Sequence, residues 1–319
     1  KLQLPVVTVF RRYDAFPNSH ANYAGWLGFG SNPDTLNYIA NADLVVALGT
    51  RFSQVATQDY ELIKPGARLI HVDISADTFG KVYPPTLPIV SDLKAFLQTV
   101  IRHIDGVKVT DLSDMITSLH NSYLKFSTPE RSYSEAFVDM DGFMADFNEK
   151  VPNDAIIASD AGNFFGWLAR YYRFETPGTY IGPTSGAMGY GFPASVAAKL
   201  AHPEKQVISM SGDGGFMMTM QELETAVRLN APVLAIVVNN NLYGTIRAHQ
   251  EKHFPNRVVG TELTNPNYAE LAKLFGCNGI RVEKNSEVIP ALETALNAEK
   301  TTLIEVVTDP AILSVNQKR

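Results

Sequence analysis

The chain has 319 residues, about twice an ordinary domain, and 45% of them are hydrophobic, so two globular domains with cores of their own are expected. Its 27 Lys and Arg against 33 Asp and Glu give a net charge of -6, which argues against nucleic acid or an anionic membrane as partners. Any anionic ligand has to be held by local geometry rather than by a basic field. The single cysteine, Cys277, excludes an internal disulfide, reads as a small core residue and suits a cytoplasmic address. Apolar runs such as Val233 to Val238 fall well short of the ~20 residues that cross a bilayer. The chain starts at Lys1 with neither methionine nor a signal-type segment, and is expected to be a piece of something longer.

Short apolar β runs alternate with helix-length amphipathic stretches throughout, the pattern of α/β folds with parallel sheets. In the first third the strands are Leu4 to Phe10, Leu44 to Leu48 and Leu69 to Ile74. Asn32-Pro33 reads as an N-cap followed by proline in the first turn, and Asp92 opens a helix running to about His103. Gly28-Phe29-Gly30 lacks the third glycine of a dinucleotide fingerprint and reads as a tight turn. A polar helix from about Asp111 to Phe126, then Ser127-Thr128-Pro129, marks a linker at 108–135 between domains at 1–107 and 136–319. The second series is helix Met140 to Lys150, strand Ala155 to Ser159, helix Phe164 to Arg173 and helix Pro193 to Ala201. Strand Val207 to Ser211, helix Met220 to Asn230, strand Val233 to Val238, helix Pro266 to Phe275 and strand Leu303 to Thr308 complete it. His249-Gln250-Glu251-Lys252-His253 lacks the glutamate spacing of a zinc-protease helix and reads as a solvated helix or a site rim.

The chemistry concentrates in one strand-helix-strand unit. Gly212-Asp213-Gly214-Gly215 follows one apolar strand directly, and Asn239-Asn240 follows the next. A right-handed crossover puts both loops at the same sheet edge, where open α/β sheets bind ligands, so Asp213 and Asn240 can converge although 27 positions separate them. A carboxylate, an amide oxygen and a main-chain carbonyl are oxygen donors suited to Mg²⁺, which commonly takes its remaining ligands from phosphate and water. The glycines let the backbone approach a phosphate closely, and a following helix aims its amides at the anion.

The compound pattern resembles the thiamine-diphosphate motif of the acetolactate synthase and pyruvate oxidase family. It comprises Gly212-Asp213-Gly214, Gln221-Glu222-Leu223, Thr225-Ala226, Pro232-Val233 and Asn239-Asn240-Asn241-Leu242-Tyr243-Gly244. The resemblance implies thiamine diphosphate and Mg²⁺ as cofactors, with Asp213, Asn240 and the main chain of Leu242 as metal ligands. It implies diphosphate contacts from Gly212, Gly214, Gly215, Tyr243 and Gly244. The family's usual Gly-Asp-Gly-Ser is Gly-Asp-Gly-Gly here, so a hydroxyl contact from position 215 is lost. Thr184 to Ala194 looks like the family segment that grips the aminopyrimidine, with Gly186 supplying a carbonyl to the 4′-amino group and Met188 propping the cofactor in a bent shape. Ser159 to Phe164 corresponds to the first diphosphate loop, with Gly162 and Asn163 as its contacts.

Gly49-Thr50-Arg51-Phe52, His71-Val72-Asp73-Ile74 and Val90-Ser91-Asp92 resemble the family's middle domain. In some members that domain binds FAD and in others nothing. Flavin members follow Arg-Phe with acidic and basic residues where Ser53-Gln54-Val55 stands here, and FAD stays an open alternative. The implied fold is two doubly wound parallel-sheet α/β domains, the middle and diphosphate-binding ones, without the pyrimidine domain. The implied activity is decarboxylation of a 2-oxo acid with carboligation; a decarboxylase, an aldehyde lyase or an inactive cofactor-binding homologue are the alternatives. The missing pyrimidine domain, of its own or a partner subunit, would bring the glutamate that starts proton relay. This piece is therefore expected to have no turnover alone, and the whole enzyme is expected to be a homodimer or homotetramer.

Overall fold

The computed structural model of the chain describes residues 1–131 and 134–317. Residues 132 and 133 of the stretch read as a linker, and 318 and 319 at the end of the second predicted domain, lie outside the described residues. The chain divides into two compact units, Lys1–Phe126 and Ser127–Arg319.

In the first unit β1 (Val6–Val9) pairs in parallel with β2 (Tyr23–Leu27), and β3 (Leu44–Leu48), β4 (Arg68–Asp73) and β5 (Leu87–Val90) form a second parallel sheet. The helix starts follow their caps. Asn32 Oδ1 accepts the Asp34 amide at 3.1 Å ahead of helix Pro33–Ala40, and Asp92 Oδ1 accepts the Ala95 amide at 3.0 Å ahead of helix Leu93–His103. The helix Ser113–Phe126, inside the stretch read as a linker, packs within this unit. Its Tyr123 is buried and meets Tyr23 edge-on at 4.8 Å, and His120 Nδ1 lies 2.8 Å from the Tyr23 carbonyl.

The second unit is built on one six-stranded parallel sheet. Its strands are β6 (Ile156–Ser159), β7 (Tyr180–Ile181), β8 (Val207–Gly212), β9 (Leu234–Asn239), β10 (Asn278–Val282) and β11 (Thr302–Val307), in the spatial order β10-β11-β9-β8-β6-β7. β9 is buried on both faces, which is why Leu234 to Val238 reads as an unbroken apolar run, whereas β8 alternates Ile208 and Met210 with the buried Ser209 and Ser211. Ile208, Met210, Ile236 and Val237 are all fully buried. β8 and β9 are neighbours with Gly212 opposite Val238, so the turns after them leave the sheet side by side at its carboxyl edge. No helix among the described residues is long and apolar enough to cross a membrane.

Cys277 lies in this core, 6% exposed, and burial pushes its thiol up to about 11. An unfolded cysteine ionises near ~8.5, so this group's contribution to stability is intact below that pH and is lost as pH rises towards 11. Near pH ~8 a thiol reagent is expected to leave the native chain unmodified and to label the urea-unfolded chain fully. Rapid labelling of folded protein would contradict the packing.

Candidate functional site

Asp213 starts a four-residue helix, Asp213–Phe216, directly after β8, and is only 3% exposed. Every donor that meets it is neutral. The Gly214 amide donates to Oδ1 at 2.9 Å and the Asn265 side chain to Oδ2 at 2.8 Å. No cationic side chain pairs with Asp213 among the described residues. Burial therefore raises its carboxyl above the usual range, opposed by Gly214, Asn265 and the amides of Asn241 and Leu242. Asn265 ties the turn after β9 to Asp213, since its side-chain nitrogen donates both to Asp213 Oδ2 at 2.8 Å and to Asn239 Oδ1 at 2.9 Å.

That turn is tightly built. Asn239 Oδ1 accepts the Asn241 amide at 3.0 Å, Asn240 Oδ1 accepts the Leu242 amide at 3.2 Å, and Asn241 is left-handed at φ 57°. Asparagine tolerates that conformation better than most residues. A backbone patch from 261 to 263 clamps the turn: the Tyr243 amide donates to the Thr261 carbonyl at 2.8 Å and the Leu263 amide to the Asn241 carbonyl at 2.8 Å. Gly244 then opens helix Gly244–His253. Gly214 is required here because a Cβ would come within 2.5 Å of the Tyr243 ring.

The upstream loops reach the same edge. Asn163 Oδ1 accepts the Thr245 hydroxyl at 2.9 Å, tying the turn after β6 to the start of helix Gly244–His253. Asp160, at the end of β6, binds the Gly189 amide through Oδ2 at 2.9 Å and the Tyr190 amide through Oδ1 at 3.4 Å. It thereby holds the loop that carries Gly186, at φ 79°, and Met188, which is 36% exposed. Thr219 fixes the loop from the other side by donating to the Gly189 carbonyl at 3.1 Å. The glycine at 215, where the family pattern has serine, has a local reason: a Cβ would lie 2.6 Å from Asp160 Oδ2, an atom already committed to Gly189.

Gly212, Asp213, Gly214, Asn240, Leu242, Tyr243 and Gly244 thus gather around two adjacent turns. Gly215 touches Asp160, which anchors the Met188 loop, while Gly162 and Asn163 join through Thr245. Sequence reading assigned no role to Asp160, Thr219, Thr245 or Asn265. Among the described residues no group of three or more His, Cys, Asp or Glu could hold a metal. A cation at this edge would rest on one carboxylate, with amide, carbonyl and ligand oxygens completing its shell, a mixture that suits Mg²⁺.

Residues 160–306 match the thiamine pyrophosphate enzyme C-terminal TPP binding domain, and residues 1–100 match the thiamine pyrophosphate enzyme central domain. The chain belongs to the thiamine pyrophosphate enzyme family. It is 32% identical to the acetolactate synthase large subunit of Corynebacterium glutamicum, over 92% of this chain and 48% of that protein. It is 30% identical to the sulfoacetaldehyde acetyltransferase of Castellaniella defragrans, over 96% of this chain and 56% of that protein. A probable acetolactate synthase large subunit of Methanococcus aeolicus is also 30% identical, over 97% of this chain and 54% of its own length. The chain spans about half the length of these relatives.

Proposed function

We propose that this chain provides the diphosphate- and Mg²⁺-binding part of an enzyme that decarboxylates a 2-oxo acid and joins the product to a second carbonyl compound, as acetolactate synthases do. The observation that carries the reading is the convergence of Asp213 with the turn Asn239–Leu242: a buried carboxylate without a cationic partner, joined to that turn through Asn265, which donates to both Asp213 and Asn239. Asp213, the Asn240 side chain and the Leu242 carbonyl would hold the cation. The backbone at Gly212, Gly214, Gly215, Tyr243 and Gly244, with Gly162 and Asn163, would line the diphosphate.

The chemistry supplied there by bound thiamine diphosphate is addition to the 2-oxo acid carbonyl and storage of the electrons released on decarboxylation. The protein's share is placement. Gly186 would offer its carbonyl to the aminopyrimidine, and Met188, on a loop held through Asp160 and Thr219, would be the apolar support beneath the cofactor. A pyrimidine-binding domain, from its own or a second subunit of a homodimer or homotetramer, would close the other side and bring the glutamate. Relatives named for acetolactate synthesis and for acetyl transfer support a joining step over simple release of an aldehyde. FAD is a separate matter for the first unit, decided by whether the purified chain carries flavin absorbance.

Calorimetry with thiamine diphosphate, with and without Mg²⁺, is the first test: tight binding is expected only with the cation. Absence of binding under both conditions would mean a decayed site. Product analysis with pyruvate, after adding a pyrimidine domain, then separates carboligation from decarboxylation, since acetaldehyde as sole product would overturn the joining step.

A further inference from the structure

Glu305 is wholly buried in the middle of β11, between Arg281 of β10 and Val237 of β9. A carboxylate there is costly to desolvate, and an apolar residue of similar volume often serves stability equally well or better. Its contacts indicate another purpose. Oε1 accepts the Asn239 side-chain amide at 2.8 Å and Arg281 Nη1 at 2.6 Å; Oε2 accepts the main-chain amides of Tyr268 at 2.9 Å and Ala269 at 3.4 Å. Arg281 is about one-third exposed and neutralises the charge from the protein surface.

The bond to Asn239 sets the orientation of an amide that could otherwise turn over. With Nδ2 committed to Glu305, Oδ1 faces the other way and accepts the Asn241 amide at 3.0 Å and the Asn265 side chain at 2.9 Å. Asn265 Nδ2 donates in addition to Asp213 Oδ2. A second route runs through Tyr268, whose amide meets Glu305 and whose hydroxyl donates to the Asp213 carbonyl at 3.1 Å. Both routes end on Asp213, and the first also fixes the left-handed turn that carries Asn240 and Leu242. Asp213 keeps unused lone pairs on both oxygens, because each accepts one bond.

We propose that Glu305 is a positioning residue of the cation site, touching no ligand itself but fixing Asp213 and the turn Asn239–Leu242 through Asn239, Asn265 and Tyr268. This rests on the reading of Asp213, Asn240 and Leu242 as cation ligands. The expected signature is geometric. Mg²⁺ demands a near-ideal octahedron, whereas Ca²⁺ accepts irregular shells, so loosening the support penalises Mg²⁺ more than Ca²⁺. A general loss of folding would weaken both alike.

The test is cation affinity of the 319-residue chain with thiamine diphosphate held saturating, for wild type, Glu305→Gln and Asn265→Ala. Each variant is expected to weaken Mg²⁺ by about 10–100-fold, the usual cost of changing a group that orients a metal ligand, with a smaller loss for Ca²⁺. Asn265 is only partly buried, so Asn265→Ala carries the test should Glu305→Gln fail to fold. Unchanged Mg²⁺ affinity and an unchanged Mg²⁺-to-Ca²⁺ ratio in the folded variants would overturn the positioning role and leave the cation site standing. A wild-type chain whose cofactor binding ignores both cations would overturn the site reading, and Glu305's role with it.

Discussion

Asp213→Ala is expected to remove the Mg²⁺ dependence of thiamine diphosphate binding, with affinity falling by more than about 100-fold, since changing groups that merely orient ligands already costs ~10–100-fold. The remaining cation donors at this edge would be neutral oxygens. The diphosphate would face amides, and the dipole of a helix as short as Asp213–Phe216 offers at most ~0.3–1 kcal/mol at an exposed site. With a net charge of -6, no long-range attraction compensates. The isosteric Asp213→Asn separates this loss from damage to the fold. It removes a buried charge that has no cationic partner but turns one of two acceptor oxygens into a donor facing Gly214 or Asn265, two opposing effects, so the ligand-free thermal midpoint is expected to change little while the shift induced by cofactor and Mg²⁺ disappears. Calorimetry and thermal unfolding measured together check both halves. Affinity within about threefold of wild type for the alanine variant would sink the metal assignment.

Gly279→Ala is the largest expected effect on folding. Gly279 sits in β10 directly under helix Tyr268–Leu274, and a Cβ there would lie 1.9 Å from the Ala269 carbonyl oxygen and 2.6 Å from its carbon. Backbone cannot rotate out of the way as a side chain can, so the helix must lift from the sheet. Overpacking usually costs ~1–3 kcal/mol, and this site is expected at or above the upper end. For a unit of this size ~3 kcal/mol corresponds to a thermal midpoint lower by roughly 6–12 °C. The displaced helix would also carry the Tyr268 and Ala269 amides away from Glu305, so cation affinity should fall alongside stability. A midpoint unchanged in urea unfolding would show that the strand and helix are less tightly apposed than described.

The parts legible in sequence were those whose signal is local. Strand-like runs ending in Gly-Asp-Gly-Gly and Asn-Asn marked β8, β9 and the two turns, and Asn32 and Asp92 announced their helices through caps that reach two and three positions along the chain. β10 was not among the expected strands: it opens on Asn278-Gly279, two poor strand formers, and the glycine is there for close approach of a helix. β2 escaped because its five residues are all buried, so no alternation shows, and β5 contains Pro88. The helix Ser113–Phe126 has a polar surface and shows its tertiary role only through Tyr123 and His120. The supporting residues of the site were hidden for a different reason. Asn265 meets Asp213 across 52 positions and Glu305 meets Asn239 across 66, and Thr264-Asn265-Pro266-Asn267 by itself announces nothing but the start of a helix.

The proposed cation site, with Asp213 as its one charged ligand, also has a consequence for the order in which its occupants would come and go. One charge and a few neutral oxygens hold a divalent ion weakly, and a diphosphate without the ion faces a chain of net negative charge. In such a site each occupant would be most of the other's binding surface, so their affinities would be linked: whatever factor the cation contributed to retention of thiamine diphosphate, the cofactor would return in equal measure to retention of the cation. Exhaustive dialysis against a chelator should accordingly strip both together, and neither should be recovered alone on the protein.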